Sequence, residues 1–230
     1  SIQSRIPPGS SVAVLVGSRG ISNLKEIVKA TVDCLQQIGA KPFIIPAMGS
    51  HGGATAEGQR EILESYGVTR EYLGVPIHSS METVIVGHTP EGIPVHIDKI
   101  ASMSDVIVPI CRVKVHTDLK APIESGLCKM LAIGLGKHAG CARLHQEGFN
   151  EFSTVIPAVA KVILEKHNIG FGVAIIENAH ENVHSIKAVS GADFFTEEPK
   201  LLSISRALMP RLQFDEIDVL IIDQIGKDIT

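Results

Sequence analysis

Apolar residues in this chain alternate between short unbroken runs and longer stripes at helical spacing. Residues 12–16 (VAVLV) form a continuous, β-branched run between Gly9 and Gly17, the pattern of a strand covered on both faces. The loop GSRGI then leads to Ser22, an expected N-cap. Behind it Leu24, Ile27, Val28, Leu35 and Ile38 recur at helical spacing until Gly39 ends the helix. PFIIP (42–46) is the next strand, and AMGSHGGAT connects it to a helix over about 55–66 that Gly67 closes. Strand, helix, strand, helix in that order predicts parallel pairing with right-handed crossovers.

The middle is less regular. TVIVG and IPVHI flank HTPEG, which predicts a hairpin over 83–97 with its turn near 90–92. DVIVP (105–109) is another buried strand. Residues 111–140 are polar and Gly-rich and read as a long structured connection, a class that is usually functional. A helix over 151–166 follows, then strands at FGVAII (171–176) and VHSIKAVSG, a helix over 192–208, and a final strand at 217–222. The expected fold is therefore α/β: a mostly parallel sheet with helices on both faces and Gly-rich loops at the carboxyl ends of its strands. Pro210 marks the boundary between a domain of residues 1–212 and residues 213–230, the start of a second α/β domain. A strand emerging so late has no partner sequence behind it, so the chain is expected to continue.

Composition narrows the function classes. At 44% apolar and 20% charged residues the chain folds rather than staying disordered. With 4% aromatics and no Trp it lacks a stacking platform for single-stranded nucleic acid, and a net charge of -4 gives no attraction to phosphate backbones or anionic membranes. Cys34, Cys111, Cys128 and Cys141 are irregularly spaced with no C-x-x-C pair, which reads as reduced thiols of a cytoplasmic protein. No apolar run reaches spanning length, and SIQSRIPPGS has no signal-peptide core.

Candidate chemistry sits in three places. His51 lies among Gly49, Gly52 and Gly53, after a strand and before a helix, where ligands bind in open α/β sheets. Such a loop suits an anion, and as readily is a shaped turn carrying a polar residue. Ser18 and Arg19 occupy the equivalent loop after the first strand, where an arginine can meet a phosphate or carboxylate or simply face solvent. The third stretch, from His116 to His145, holds His116, Asp118, Lys120, Glu124, Cys128, Lys129, His138, Cys141 and His145. Cys128, His138, Cys141 and His145 could form a zinc site, although the spacing matches no common zinc pattern and each cysteine is as well explained as a small core residue. Lys129, in GLCKMLAIGL, is either a desolvated nucleophile or a surface lysine with a packed stem.

These residues carry a resemblance. From GSRGI through PAMGSHGGATAEGQ and RVKVHTDLKAPIESGLCKMLAIGLGK to HQEG, the chain resembles the nickel-dependent lactate racemases, enzymes that use a nickel-pincer nucleotide. His51 matches that family's histidine in the loop after the second strand, His116 its second histidine, and Lys129 its cofactor-attaching lysine. His145, sixteen positions beyond Lys129, matches its nickel ligand. The resemblance implies a racemase or epimerase of a small 2-hydroxy acid, with residues 1–212 as cofactor-binding and catalytic domain. It implies a pyridinium bisthiocarboxylic acid mononucleotide tethered by Lys129, its nickel completed by His145. His51 and His116 exchange the hydroxyl proton while the Cα hydride passes to the cofactor and back. Arg19 matches an arginine of the family's first loop that helps hold cofactor phosphate or substrate, and Ser18 beside it is expected to bind the cofactor. A C-terminal domain of the same chain is the implied partner, closing over the cofactor.

Two departures bear on this. The family's first loop carries an acidic residue before its Thr-Arg pair, whereas this chain reads VGSRG. The interval from His116 to Lys129 is also longer by a few residues, which reshapes the pocket and points to a 2-hydroxy acid other than lactate. The rival readings are a zinc-containing protein and a phosphate- or nucleotide-binding module without redox chemistry.

Overall fold

The computed structural model describes residues 5–148, 151–211, 214 and 216–224. Strand β1 (Ser11–Val16) is buried over five of its six residues and lies between two parallel partners, β2 (Lys41–Pro46) and β5 (Val106–Arg112). The sheet order is β2-β1-β5-β6-β7, in which β6 (Phe171–Glu177) is parallel to β5 and β7 (Val183–Ser190) is an antiparallel edge. A separate hairpin pairs β3 (Thr83–His88) with β4 (Pro94–Asp98), and its turn falls where HTPEG predicts it.

Helices cover both faces, as the continuous apolar strands require. On one face α1 (Leu24–Gln37), α2 (Ala56–Ser65) and the short α3 (Arg70–Leu73) pack Val28, Val32, Leu35, Leu63 and Leu73 against Val12, Val14, Val108 and Val173. On the other lie α5 (Leu127–Lys129), a π-helical turn (Met130–Gly134), α7 (Phe152–Lys166) and α8 (Phe194–Leu208). They bury Leu127, Leu131, Ile156, Ile163 and Phe194 against Ala13, Leu15, Ile107 and Ala174. The one-turn helix α4 (Lys99–Ser102) and α6 (Lys137–His145) complete the set.

Three expectations are corrected. Ser22 does not cap α1: Asn23 stands at that position in a left-handed conformation (φ 58), and the Ser22 amide donates instead to Glu177 Oε1 at 2.7 Å. The Glu177 carboxylate of β6 thus holds the turn ahead of α1 rather than its first amides, and the Asn23 side chain makes no capping bond. Residues 111–140 are not one connection, because β5 runs on to Arg112 and α5, the π turn and α6 occupy the second half. Gly residues there serve helix contacts rather than loop freedom; a Cβ at Gly134 would come within 2.6 Å of the Ala47 carbonyl. Finally, residues 217–222 form no strand. They have the right composition, but no described strand pairs with them, and Val219 and Ile221 are 77% and 86% exposed. The expected second domain over 213–230 falls largely on this segment and on residues outside those described. Among the described residues no helix is long and apolar enough to cross a membrane.

Candidate functional site

Parallel strands deliver their following loops to one end of the sheet, and β1 and β5 send theirs away on opposite sides. The crevice between two such strands is where open α/β sheets bind ligands. A cavity of about 560 Å³ occupies it, lined by Gly17–Arg19 after β1, Ala47, Met48 and His51 after β2, and residues 110–112 and 114–117 at and beyond the end of β5. Ser125, Gly126, Lys129, Met130 and Ile133 close its remaining side.

The loop after β2 is held tightly. Thr55 caps α2 by accepting from the Gly58 amide at 3.0 Å, and the loop folds back so closely that a Cβ at Gly58 would lie 2.1 Å from the Gly52 carbonyl. His51 thereby reaches Ser18, whose Oγ contacts its Nδ1, and Tyr66 donates to the Ser18 carbonyl at 2.9 Å.

His116 is fixed from both sides. Its amide donates to Glu124 Oε2 at 2.8 Å, and its Nδ1 accepts from the amides of Asp118 and Leu119, each at 3.1 Å. An accepting Nδ1 puts the proton of the neutral ring on Nε2. Burial, and then the positive charge of Lys129, hold His116 below its ordinary pKa. Glu124, fully buried, also takes the Ala121 amide at 3.2 Å and Arg206 of α8 at 2.8 Å. It is the anchor around which residues 116–124 turn.

Lys129 comes from the short helix α5. Burial, reinforced by Arg19 and Lys114, pushes its ammonium down to about 8. Beneath it, Glu198 of α8 accepts the Cys128 amide at 2.9 Å and caps the start of this helix. Gly126 lies so near that a Cβ would sit 2.4 Å from Glu198 Oε1. Burial pushes the Cys111 and Cys128 thiols up, with the neighbouring Glu198 adding to it, so neither is a ready nucleophile.

Four cations line the cavity: Arg19, Arg112, Lys114 and Lys129. Arg112 is paired with Glu177. Lys114 is lowered by burial first, then by Arg112 and Arg19. A cavity walled by cations and by Met48, Ile110, Val115, Met130 and Ile133 suits an anionic ligand with an apolar body. Sequence reasoning missed Arg112 and Lys114. The signal was the alternation in RVKVH, since extended chain puts residues 112, 114 and 116 on one side.

Ser18, Arg19, His51, His116 and Lys129 are thus brought to one cavity. His145 is not among the lining residues: it is exposed at the end of α6, its ring edge-on to Phe152 and its Nδ1 donating to the Cys141 carbonyl at 2.6 Å. Cys128 is buried in the core while His138 is exposed. No group of three His, Cys, Asp or Glu among the described residues is placed to hold a metal, so the zinc set is not assembled.

A family model described as the lactate racemase N-terminal domain matches residues 3–154. Among solved structures, the lactate racemase apoprotein from Thermoanaerobacterium thermosaccharolyticum superposes with a TM-score of 0.62 at 12% identity, covering 86% of this chain and 50% of that one. The chain therefore spans about half the length of that relative. No curated protein sequence matches it.

Proposed function

Since the chain belongs to the lactate racemase N-terminal domain family, we propose that it supplies the cofactor-binding and proton-exchanging part of a racemase or epimerase of a small 2-hydroxy acid. The observation that carries this reading is one cavity holding two histidines from separate loops beside a lysine of lowered pKa and further cations. Inverting a carbinol carbon asks for proton exchange on two sides of the substrate, and histidine does this near neutral pH.

The family's nickel-pincer nucleotide fits these residues in chemical type. Lys129, partly neutral at physiological pH, is the amine for a covalent tether, and Arg19, Ser18 and Lys114 suit a phosphate. His145 lies outside the cavity lining and donates through Nδ1, so its place as the nickel ligand rests on the family resemblance alone. When bound, the group would accept the Cα hydride of the substrate and return it. The chain's own residues do the rest. Arg19 and Lys114 hold carboxylate and phosphate, and the apolar wall excludes water from the carbinol. His51 and His116 take and give the hydroxyl proton. The two start unequal: before His116 can accept a proton on Nε2, its Nδ1 must carry one and release the amides of Asp118 and Leu119.

The test is stereoinversion of a panel of 2-hydroxy acids by the full-length protein made alongside the cofactor-synthesis machinery. Lys129→Ala should abolish the covalent mass increment, and His145→Ala should keep that increment but lose nickel. His51→Ala and His116→Ala should keep both and lose turnover. If both histidine variants invert substrate at the unaltered rate, the proton-exchange roles are wrong.

A further inference from the structure

Lys137 pairs two costly features. It begins α6 with a left-handed backbone (φ 54), a costly conformation for side chains other than Asn or Asp, and its ammonium is fully buried. Glycine would relieve the backbone and an apolar side chain would relieve the desolvation, so packing alone does not account for lysine. What the ammonium reaches does. It reaches three elements: it donates to the Pro46 carbonyl at the end of β2 and to Gln59 Oε1 of α2 at 3.4 Å, and it forms an ion pair with Asp98 Oδ2 at the end of β4 at 3.2 Å. Gln59 is also fully buried. With its Oε1 turned to Lys137, its Nε2 is aimed at the loop after β2, donating to the carbonyls of Gly49 at 2.9 Å and His51 at 3.2 Å.

We infer that Asp98, Lys137 and Gln59 form a buried positioning relay that fixes the backbone of the His51 loop relative to β2 and α6. Lys137 sets the orientation of the Gln59 amide, since the flipped amide would set N–H against ammonium and oxygen against two carbonyls. The oriented amide in turn holds the loop by its carbonyls, leaving the His51 side chain to meet Ser18 in the cavity. On its other side the same loop leans on the π turn behind Lys129, through the Gly49 amide and the Gly134 carbonyl at 3.2 Å. None of the three relay residues lines the cavity, so each acts through His51 rather than on a ligand. The catalytic consequence rests on the proposed role of His51; the mechanical one does not.

Gln59→Glu separates the parts, because it keeps an acceptor for Lys137 and loses both donors to the loop. Lys137→Met combined with Asp98→Asn removes the ammonium without stranding a buried carboxylate. Amide hydrogen exchange on the ligand-free chain under native conditions is the first readout. In both variants exchange across residues 48–54 should quicken about tenfold or more, while residues 113–126, the other wall of the cavity, stay within twofold of wild type. Equal quickening of both segments, or no change in 48–54 in a folded variant, overturns the relay. The second readout is turnover of the cofactor-loaded full-length protein, where kcat should fall with KM and the Lys129 mass increment unaltered. Loosened 48–54 with unaltered kcat upholds the relay and counts against His51 as a proton-exchanging group.

Discussion

Replacing Lys129 with methionine should make the ligand-free chain more stable at neutral pH, although it removes a side chain central to the site. The ammonium is held at about 8 against an ordinary 10.5, first by burial and then by Arg19 and Lys114. At about 1.4 kcal/mol per pKa unit this corresponds to about 3 kcal/mol of native-state destabilisation at pH 7. The group still faces the cavity, so solvent screening reduces it to about 2 kcal/mol. Methionine keeps the length and packs against Met130 and Ile133 without the charge. In a chain of this size the gain is roughly 4–8 °C in Tm. The pH dependence gives the sharper test. Between about 8 and 10.5 the unfolded chain binds more protons at Lys129 than the folded one, so wild-type stability rises with pH across that window. Lys129→Met lacks that slope, and its advantage should shrink as pH climbs from 8 to 10.5. Urea denaturation at half-unit pH intervals measures both curves. A wild type as stable as Lys129→Met at pH 7, or curves parallel from pH 7 to 10.5, would refute the reasoning.

Two more outcomes concern the floor beneath Lys129. Gly126→Ala should destabilise the fold by about 1–3 kcal/mol, since the new Cβ meets Glu198 Oε1 at 2.4 Å. The Gly126 backbone is extended (φ 177), so no conformational penalty contributes, and the loss measured by urea should shrink in a Glu198→Ala background. Burial pushes Glu198 up to about 7 from 4.5. The folded chain therefore binds the extra proton, and stability should fall as pH rises from about 4.5 to about 7. Glu198→Gln should flatten that segment of the curve; a slope that persists in the variant would remove Glu198 as its source.

The sheet and its cavity loops were legible because they depend on local pattern. Unbroken apolar runs marked β1, β2 and β6, Thr55 and Gly67 bracketed α2, and HTPEG located the hairpin turn. Glycine-rich context marked His51, an apolar setting marked Lys129, and the family resemblance joined His116 to them; all three share the cavity. What stayed hidden depends on partners distant in sequence. Glu177 holds the Ser22 amide ahead of α1 from 155 positions away, and Glu198 reaches the Cys128 amide across 70. Lys137 reads from the sequence as one more polar residue in GKHAG, and only the fold shows it sealed against Pro46, Gln59 and Asp98. Residues 217–222 illustrate the converse, since strand composition without a neighbouring ladder makes no strand.

Helix α8 grips the site at two points. Glu198 holds the turn that presents Lys129, and Arg206 holds Glu124, which anchors the bend carrying His116. The grips are eight residues apart, about 12 Å along the axis of α8. A small slide or roll of this helix would therefore reach the lysine and the histidine together, whereas the His51 loop is clamped separately from α2 and α6. The distance across the cavity from His116 and Lys129 to the His51 loop would thus follow a single mechanical coordinate, set by where α8 sits.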